Sequence, residues 1–178
     1  IISNLVIIIY KYYVLIIHIK DTFKMNKIYL LLTMSMLLAC MNTQNQIKEN
    51  IEIEHFTSDE SEKLGFPFSD ATIVDNIIYV SGQVGNRPGT TELISGGIGP
   101  ETTQALNNIK SIINQLGSSS EHIFKCLCML SDINDYSEMN QAYRMFFDEV
   151  KKPSRSTFAG SGLALGAKIE IECWAVKK

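Results

Sequence analysis

The chain has 178 residues, of which 46% are hydrophobic, so it is long and apolar enough for one folded domain with additional segments. Its formal net charge is −3 and its sequence pI is about 5.6. Nucleic-acid-binding proteins need clustered Lys and Arg side chains, so this acidic balance argues against a nucleic-acid partner.

The chain begins with an apolar segment. Residues 1–24 are interrupted by Lys11, Lys20 and Asp21, and we interpret them as an extension upstream of the true start at Met25. An ordinary membrane-anchor helix is the alternative interpretation of this segment.

A second apolar segment has the form of a signal peptide. Residues 25–40 contain Lys27 followed by an apolar stretch, 28–38, that is too short to span a membrane. The segment ends in Leu37-Leu38-Ala39-Cys40, which resembles a bacterial lipobox. In that motif the Cys is lipidated and becomes the mature N-terminus, and we therefore expect a lipid on Cys40.

These motifs predict a protein of the cell envelope, lipid-anchored or periplasmic, that contacts the membrane only through its anchor or signal segment. A cytoplasmic location is the alternative if the N-terminal segment is not used. Residues 41–60 are polar and charged, which predicts a flexible tether. The remaining residues, 61–178, are expected to form the folded domain.

The first elements of the domain are two predicted strands, 71–75 and 77–84, joined by a tight turn. A further short strand is possible at Leu93-Ile94. Pro100 suits the first turn of a helix, and the apolar residues after it recur at helical spacing until Gly117.

In the second half of the domain, predicted strands again alternate with a helix. An apolar strand is predicted at 123–130 and a second helix after it, with Asp135 and Glu138 as a capping box. Two last strands, 155–159 and 168–176, follow. Cys126 and Cys128 face the same side of the apolar strand, and we interpret them as buried apolar residues.

The order β-β-(β)-α-β-α-β-β predicts a two-layer α/β (α+β) domain, with two helices on one face of a mixed sheet. The other face of the sheet would be uncovered, and an exposed apolar sheet face usually indicates an oligomer. The cysteines contain no CxxC pair, and the three histidines do not lie beside a candidate nucleophile. We therefore expect no metal site and no Ser-His-Asp triad.

The last predicted strand carries two carboxylates on one face. Residues i and i+2 of a strand point to the same side, so Glu170 and Glu172 share a face with Trp174. Arg155 begins the preceding strand. An arginine and a carboxylate brought together would suit a small substrate that carries its own carboxylate. The structural alternatives are surface ion pairs of these residues with neighbouring charges.

Several ordered blocks carry a resemblance to a known family. Pro153 to Phe158, followed after a spacer by Ile169-Glu170-Ile171-Glu172, resembles the closing motif of the RidA (YjgF) family of enamine/imine deaminases. Phe66-Pro67-Phe68-Ser69, Val80-Ser81-Gly82-Gln83 and Gln104 to Asn108 agree with it. The resemblance runs from about Phe66 to Lys178. It implies a chorismate-mutase-like fold, a homotrimer with sites between subunits, and no cofactor.

The resemblance also implies roles for individual residues. Arg155 would hold the substrate carboxylate and Glu170 would position the attacking water. We interpret Glu172 as structural. The other residues expected at the site are substrate-binding: Phe68, Ser81, Gly82, Asn140 and Thr157. Phe68 stands where many active relatives have Tyr, and Thr157 stands where some have Cys.

The predicted function is hydrolysis of reactive 2-imino acids or their enamine tautomers, such as 2-aminoacrylate or 2-iminobutanoate, to 2-keto acids and ammonia. The alternative is a non-catalytic trimeric module of the cell envelope that binds small carboxylates, which Phe68 and export both favour. A ribonuclease, an older label for relatives, is disfavoured by the acidic balance.

Overall fold

A computed structural model describes residues 10–15, 18, 34–36 and 51–178. The chain divides into two units, Ile1–Asn50 and Ile51–Lys178. In the first unit the described residues are helical, and within the described part of the chain no helix has the length and apolar character needed to cross a membrane. The predicted lipobox, including Cys40, lies outside the described residues.

The second unit contains one six-stranded mixed sheet. Its spatial order is β1-β2-β3-β6-β4-β5, with β4 and β5 parallel and all other neighbours antiparallel. The strands are β1 (Ile53–Phe56), β2 (Ala71–Val74), β3 (Ile77–Val84), β4 (Ile123–Leu130), β5 (Ser154–Ala159) and β6 (Ile169–Val176).

Three helices accompany the sheet: α1 (Asp59–Leu64), α2 (Ile98–Gln115) and α3 (Tyr136–Phe146). The inner side of α2 is apolar, and Leu106, Ile109 and Ile113 are fully buried. Helix α2 contacts α3, β3 and β6. Because parallel strands need a crossover connection, α3 carries the chain from β4 to β5. The predicted α+β architecture is confirmed.

Strand β6 follows the predicted alternation along its whole length. Ile169, Ile171 and Cys173 are fully buried in the core shared with the helices. Glu170 and Glu172, on the other side, are only half-buried. The two carboxylates therefore share one face, as strand periodicity predicts.

The folded unit begins earlier than expected. We predicted a tether over 41–60 and a domain from 61, but β1 pairs with β2 and α1 follows it. Asp70 stabilises this addition because its carboxylate accepts hydrogen bonds from Ser58 N at 2.8 Å, Ser58 Oγ at 2.6 Å and Ser61 Oγ at 2.7 Å. Strand β1 has four residues and is mostly exposed, so its apolar alternation is too short to indicate a strand.

The predicted capping box at α3 is wrong. Asp135 has helical φ and ψ angles and makes no capping hydrogen bond, because a 3₁₀ turn, Ile133–Asp135, leads directly into the helix. Asp132 caps that turn instead, accepting from Asn134 N at 2.9 Å. The possible strand at Leu93-Ile94 is only an isolated bridge from Leu93 to Asn86.

Cys126 and Cys128 are both buried, as predicted, but they differ in bonding. Cys128 is a buried free thiol. Cys126 forms a disulfide with Cys173, its antiparallel partner on β6. The pairing depends on the register of two strands that lie 47 residues apart, which local patterns do not give.

Candidate active site

Glu170 lies against a bulge in the neighbouring strand β3. The register between β3 and β6 shifts between Val80 and Gln83, so β3 has one extra residue at this point. Gly82 lies in the bulge, and a Cβ atom there would collide with the Glu170 carboxylate. Glycine at position 82 is therefore what allows the carboxylate to rest on the backbone of β3.

Burial raises the pKa of the Glu170 carboxyl above its usual range, and the nearby Glu172 carboxylate raises it further. A carboxylate of this kind is a better proton acceptor than an exposed one near neutral pH. Glu172 differs because its Oε1 accepts a hydrogen bond of 2.8 Å from Trp174 Nε1. This contact agrees with a structural role for Glu172.

The segment before β2 brings Phe68 to the same place. Phe66 and Phe68 stack with their ring centroids 5.3 Å apart and their planes 8° from parallel. Ser81 Oγ donates to Ser69 O at 2.7 Å, and Ser81 N donates to Asp70 O at 2.9 Å. The Ser81 side chain therefore holds the segment that carries Phe68, so its place in the fold is that of a positioning residue.

Glu170, Gly82 and Phe68 line one cleft of about 330 Å³. Helix α1, the end of β3, helix α2 and the loop before β6 form its walls. The apolar part of the lining is made by Leu64, Phe66, Phe68, Val84, Pro88, Ile112, Ala164 and Leu165.

Arg155 lies in a second group of residues, against helix α3. Its Nη2 donates to Asn140 Oδ1 at 2.6 Å, and its guanidinium carbon lies 4.5 Å from the centroid of the Tyr143 ring. The Tyr136 ring is 5.8 Å away on the same helix. Asn140 and the rings orient the guanidinium, and the described residues offer it no carboxylate partner within salt-bridge distance. The surface ion pair of Arg155, which was the structural alternative to a binding role, is therefore absent among the described residues.

Thr157 follows Arg155 on the same face of β5 and pairs with Cys128 of β4. Its hydroxyl lies beside the Cys128 thiol. Burial raises the pKa of Cys128 to about 11, an effect that the positive charge of Arg155 and the Thr157 hydroxyl offset only in part. The thiol is therefore protonated at neutral pH and is a poor nucleophile.

The two main catalytic candidates point to opposite faces of the sheet. Cys126 pairs with Arg155 on β5 and with Cys173 on β6, so all three share one face. Glu170 is three positions from Cys173 along β6 and therefore lies on the other face. The expectation that an arginine and a carboxylate meet is not met within one chain.

Three polar residues were not predicted as parts of the site, although they shape it. Asn108 Nδ2 donates to Val84 O and Asn86 O, both at 3.1 Å, and so holds the chain that leaves β3. Glu101, which is 6% exposed, accepts from Lys168 N at 2.8 Å at the start of β6. Asp70 fixes α1. For Glu101 and Asn108 the available signal was a polar residue on the inner side of an otherwise apolar helix, whereas Asp70 lies in the loop before β2 and had no such signal.

Comparison with known proteins identifies the family. Residues 62–177 match the family described as Endoribonuclease L-PSP. The chain belongs to this family, which is the RidA (YjgF) family that its motifs resemble. This chain is 37% identical over 111 residues to the human protein named 2-iminobutanoate/2-iminopropanoate deaminase. The match covers 62% of this chain and 80% of the human one.

Solved structures of RidA-family proteins agree with the fold. A protein of the conserved Rid family from Yersinia pestis, YyfA, is 31% identical with a TM-score of 0.65, covering 70% of this chain and 99% of that one. The YjgF protein of E. coli is 32% identical with a TM-score of 0.60, covering 63% of this chain and 89% of that one. The mixed sheet and helices of the second unit therefore have the fold of RidA-family structures.

Proposed function

We propose that this RidA-family protein is an enzyme that hydrolyses 2-imino acids, or their enamine tautomers, to 2-keto acids and ammonia. The support is chemical. A half-buried carboxylate with a raised pKa lies in an apolar cleft, and an arginine without an acidic partner among the described residues is available for a substrate carboxylate. Relatives of similar sequence bear the name of this activity.

The reaction divides into two steps, each assigned to Glu170. The carboxylate accepts a proton from water as the water oxygen bonds to C2, and the C=N π electrons move to the protonated imine nitrogen. The resulting carbinolamine then breaks its C2–N bond. Glu170 returns its proton to the nitrogen, and the electron pair of the C2–N bond leaves with ammonia as an oxygen lone pair forms C2=O. The hydroxyl proton passes to the freed Glu170 carboxylate and from there to the released ammonia, which departs as ammonium. The imine is already electrophilic, so orientation and proton transfer are the contributions required of the protein.

The observation that carries the proposal is the opposite orientation of Arg155 and Glu170. A 2-imino acid has its carboxylate bonded directly to C2, so both groups must approach the same small molecule. One chain does not bring them together, whereas a closed ring of copies can place the Arg155 side of one copy against the Glu170 cleft of the next. We therefore place each active site between two subunits of a homotrimer.

Mixing two inactive variants tests this arrangement directly. Arg155→Ala and Glu170→Gln chains are co-expressed with different affinity tags, and mixed assemblies are isolated through both tags. If sites lie between copies, one of the three sites in every mixed trimer combines an intact arginine with an intact glutamate, and activity returns to about a third of the wild-type value. If mixed assemblies stay as inactive as either parent, while wild-type copies carried through the same procedure are active, the shared site is wrong.

A binding module remains the second candidate because of Phe68. The ring lies in the cleft but has no hydroxyl to hydrogen-bond a water or a substrate nitrogen. Calorimetry with 2-oxobutanoate separates the candidates when it is performed beside the turnover assay. Binding without turnover of any imino acid supports the module, and turnover that depends on Glu170 supports the enzyme.

We further propose that the protein acts in the cell envelope, on the strength of the lipobox that ends at Cys40. Two acyl groups on one Cys give stable attachment, whereas a single chain gives marginal attachment. Wild type should fractionate with membranes and incorporate labelled palmitate. Cys40→Ser should lose the label. Identical labelling of both chains would refute the proposal.

A further inference from the structure

The cleft has more room than a small imino acid needs. At about 330 Å³, its volume is roughly ten times the ~30 Å³ that one water molecule occupies in the liquid. Methyl and ethyl side chains, those of 2-iminopropanoate and 2-iminobutanoate, would fill a minor part of it. Unfilled apolar volume contributes no binding, so the lining favours a larger occupant.

The lining is suited to an uncharged group. Leu64, Ile112 and Leu165 contribute aliphatic surface, and the stacked rings of Phe66 and Phe68 contribute a flat apolar wall. Such surfaces gain binding free energy in proportion to the apolar area they cover. They also accept aromatic rings by offset stacking.

The charges in the cleft also favour an uncharged side chain. Among the described residues that line it, the charged side chains are all acidic: Glu60, Asp70 and Glu170. The Asp70 carboxylate is already occupied by Ser58 and Ser61. An anionic side chain placed here would meet like charge and lose its hydration, which disfavours imino acids derived from aspartate or glutamate.

Leu165 occupies an unusual position in this lining. It has a left-handed backbone, with φ of 59°, and it is 53% exposed, although a branched apolar residue avoids both conditions. Leu165 lines the cleft from the 3₁₀ turn Ala164–Gly166, which precedes β6. Leu165 thus presents an exposed apolar side chain in the same cleft as Glu170, where a substrate side chain can contact it.

We propose that Leu64, Phe66, Phe68, Ile112 and Leu165 form a side-chain slot that makes the enzyme selective for 2-imino acids with bulky, uncharged apolar side chains. The inference rests on the proposed deaminase activity, because it takes C2 of the substrate to lie at Glu170. From C2, the side chain extends over the Phe66–Phe68 stack toward Leu165. The carboxylate leaves in the other direction, toward Arg155 of the neighbouring copy.

The experiment compares substrates on the full chain. An amino-acid oxidase with catalase generates imino acids from 2-aminobutyrate, leucine, phenylalanine and glutamate, and competition with semicarbazide reports hydrolysis. We expect kcat/KM for the leucine- and phenylalanine-derived imines to exceed that for 2-iminobutanoate by about tenfold or more, since each methylene in an apolar pocket is worth about that factor. The glutamate-derived imine should be the poorest substrate.

A matched pair of variants locates the slot. Leu165→Ala should reduce the ratio of kcat/KM values for the leucine-derived imine over 2-iminobutanoate by about tenfold. Ile133→Ala removes an apolar side chain of equal exposure, 54%, outside the cleft and should leave that ratio unchanged.

The outcomes separate the two proposals. A wild-type ratio of one or less, or the same ratio in Leu165→Ala as in wild type, overturns the slot and leaves the deaminase activity standing. Absence of hydrolysis for every imino acid overturns the proposed function, and the slot with it.

Discussion

Trp174 donates its indole N–H to Glu172 at 2.8 Å, while Glu170, two residues earlier on the same strand face, rests on the glycine of the β3 bulge. Two chemically identical side chains therefore have different surroundings. One is hydrogen-bonded to an aromatic partner. The other lies in a cleft with a raised pKa.

This difference predicts a contrast between two conservative variants. Glu170→Gln should lower kcat by a factor on the order of 10² to 10⁴ with little change in KM, because the substrate still binds but the water loses its proton acceptor. Glu172→Gln should change kcat by less than about tenfold and mainly affect stability. If Glu172→Gln abolishes turnover and Glu170→Gln does not, the water-holding role belongs to the other carboxylate.

The same pair predicts a pH effect. Glu170 works in its ionised form, so kcat/KM should rise with pH through a pKa above the ordinary value for Glu. Part of that elevation comes from the charge of Glu172. Glu172→Gln should therefore lower the Glu170 pKa and move the acidic limb of the pH–rate profile to lower pH. A limb that stays in place, or moves to higher pH, would contradict the coupling.

The linked stability effect has a definite sign. Because the folded-state pKa of Glu170 is raised above its unfolded value, the folded chain binds the proton more tightly. The contribution of Glu170 to the free energy of unfolding is thus largest at acidic pH and falls as pH rises through the raised pKa. Glu170→Gln should be less sensitive to pH over that window, which urea melts at several pH values can measure.

The sequence predicted these parts of the site to different degrees. Alternation alone places Glu170 and Glu172 on one face, since it needs no knowledge of neighbours. The opposite orientation of Arg155 depends on the register in which β5 pairs with β4 and β4 with β6. Local sequence patterns do not determine the register between distant strands. For the same reason the disulfide of Cys126 was missed. The failed cap at Asp135 reflects a 3₁₀ turn that a capping motif does not reveal.

The aromatic patch on β3, β4 and β6 predicts the assembly surface. Tyr79 and Trp174 have ring centroids 5.2 Å apart, Phe124 lies 6.3 Å from Trp174, and Tyr79 and Phe124 are 37% and 41% exposed. Light scattering of the full chain should give a trimer, and Phe124→Glu should weaken it because a charge would be buried at the interface. Met145→Glu, at a site 78% exposed on α3, is the control. A monomeric wild type would refute both the surface and the shared active site.

The disulfide between Cys126 and Cys173 predicts a redox-dependent stability. It closes a loop of 47 residues between β4 and β6, and a crosslink over that length stabilises a domain by about 4 kcal/mol in the chain-entropy model. A reducing agent should therefore lower the Tm of the wild type by roughly 10 °C. Cys128→Ala keeps the crosslink and should respond to reduction in the same way. If the double variant Cys126→Ala/Cys173→Ala loses as much Tm on reduction as the wild type, the crosslink is not what stabilises the fold.

Phe68→Tyr tests what the missing hydroxyl does. Phe68 is 49% exposed at the cleft and stacks on Phe66, so a tyrosine fits with the same ring contact and its hydroxyl at the open side. The added group can donate a hydrogen bond to the attacking water or the substrate nitrogen, and we expect equal or higher kcat with an unchanged Tm. Phe158→Tyr, also 49% exposed but outside the cleft, is the matched control and should leave kcat as it is. A fall in kcat in Phe68→Tyr alone would mean that the apolar ring, rather than a hydroxyl, is what this cleft requires.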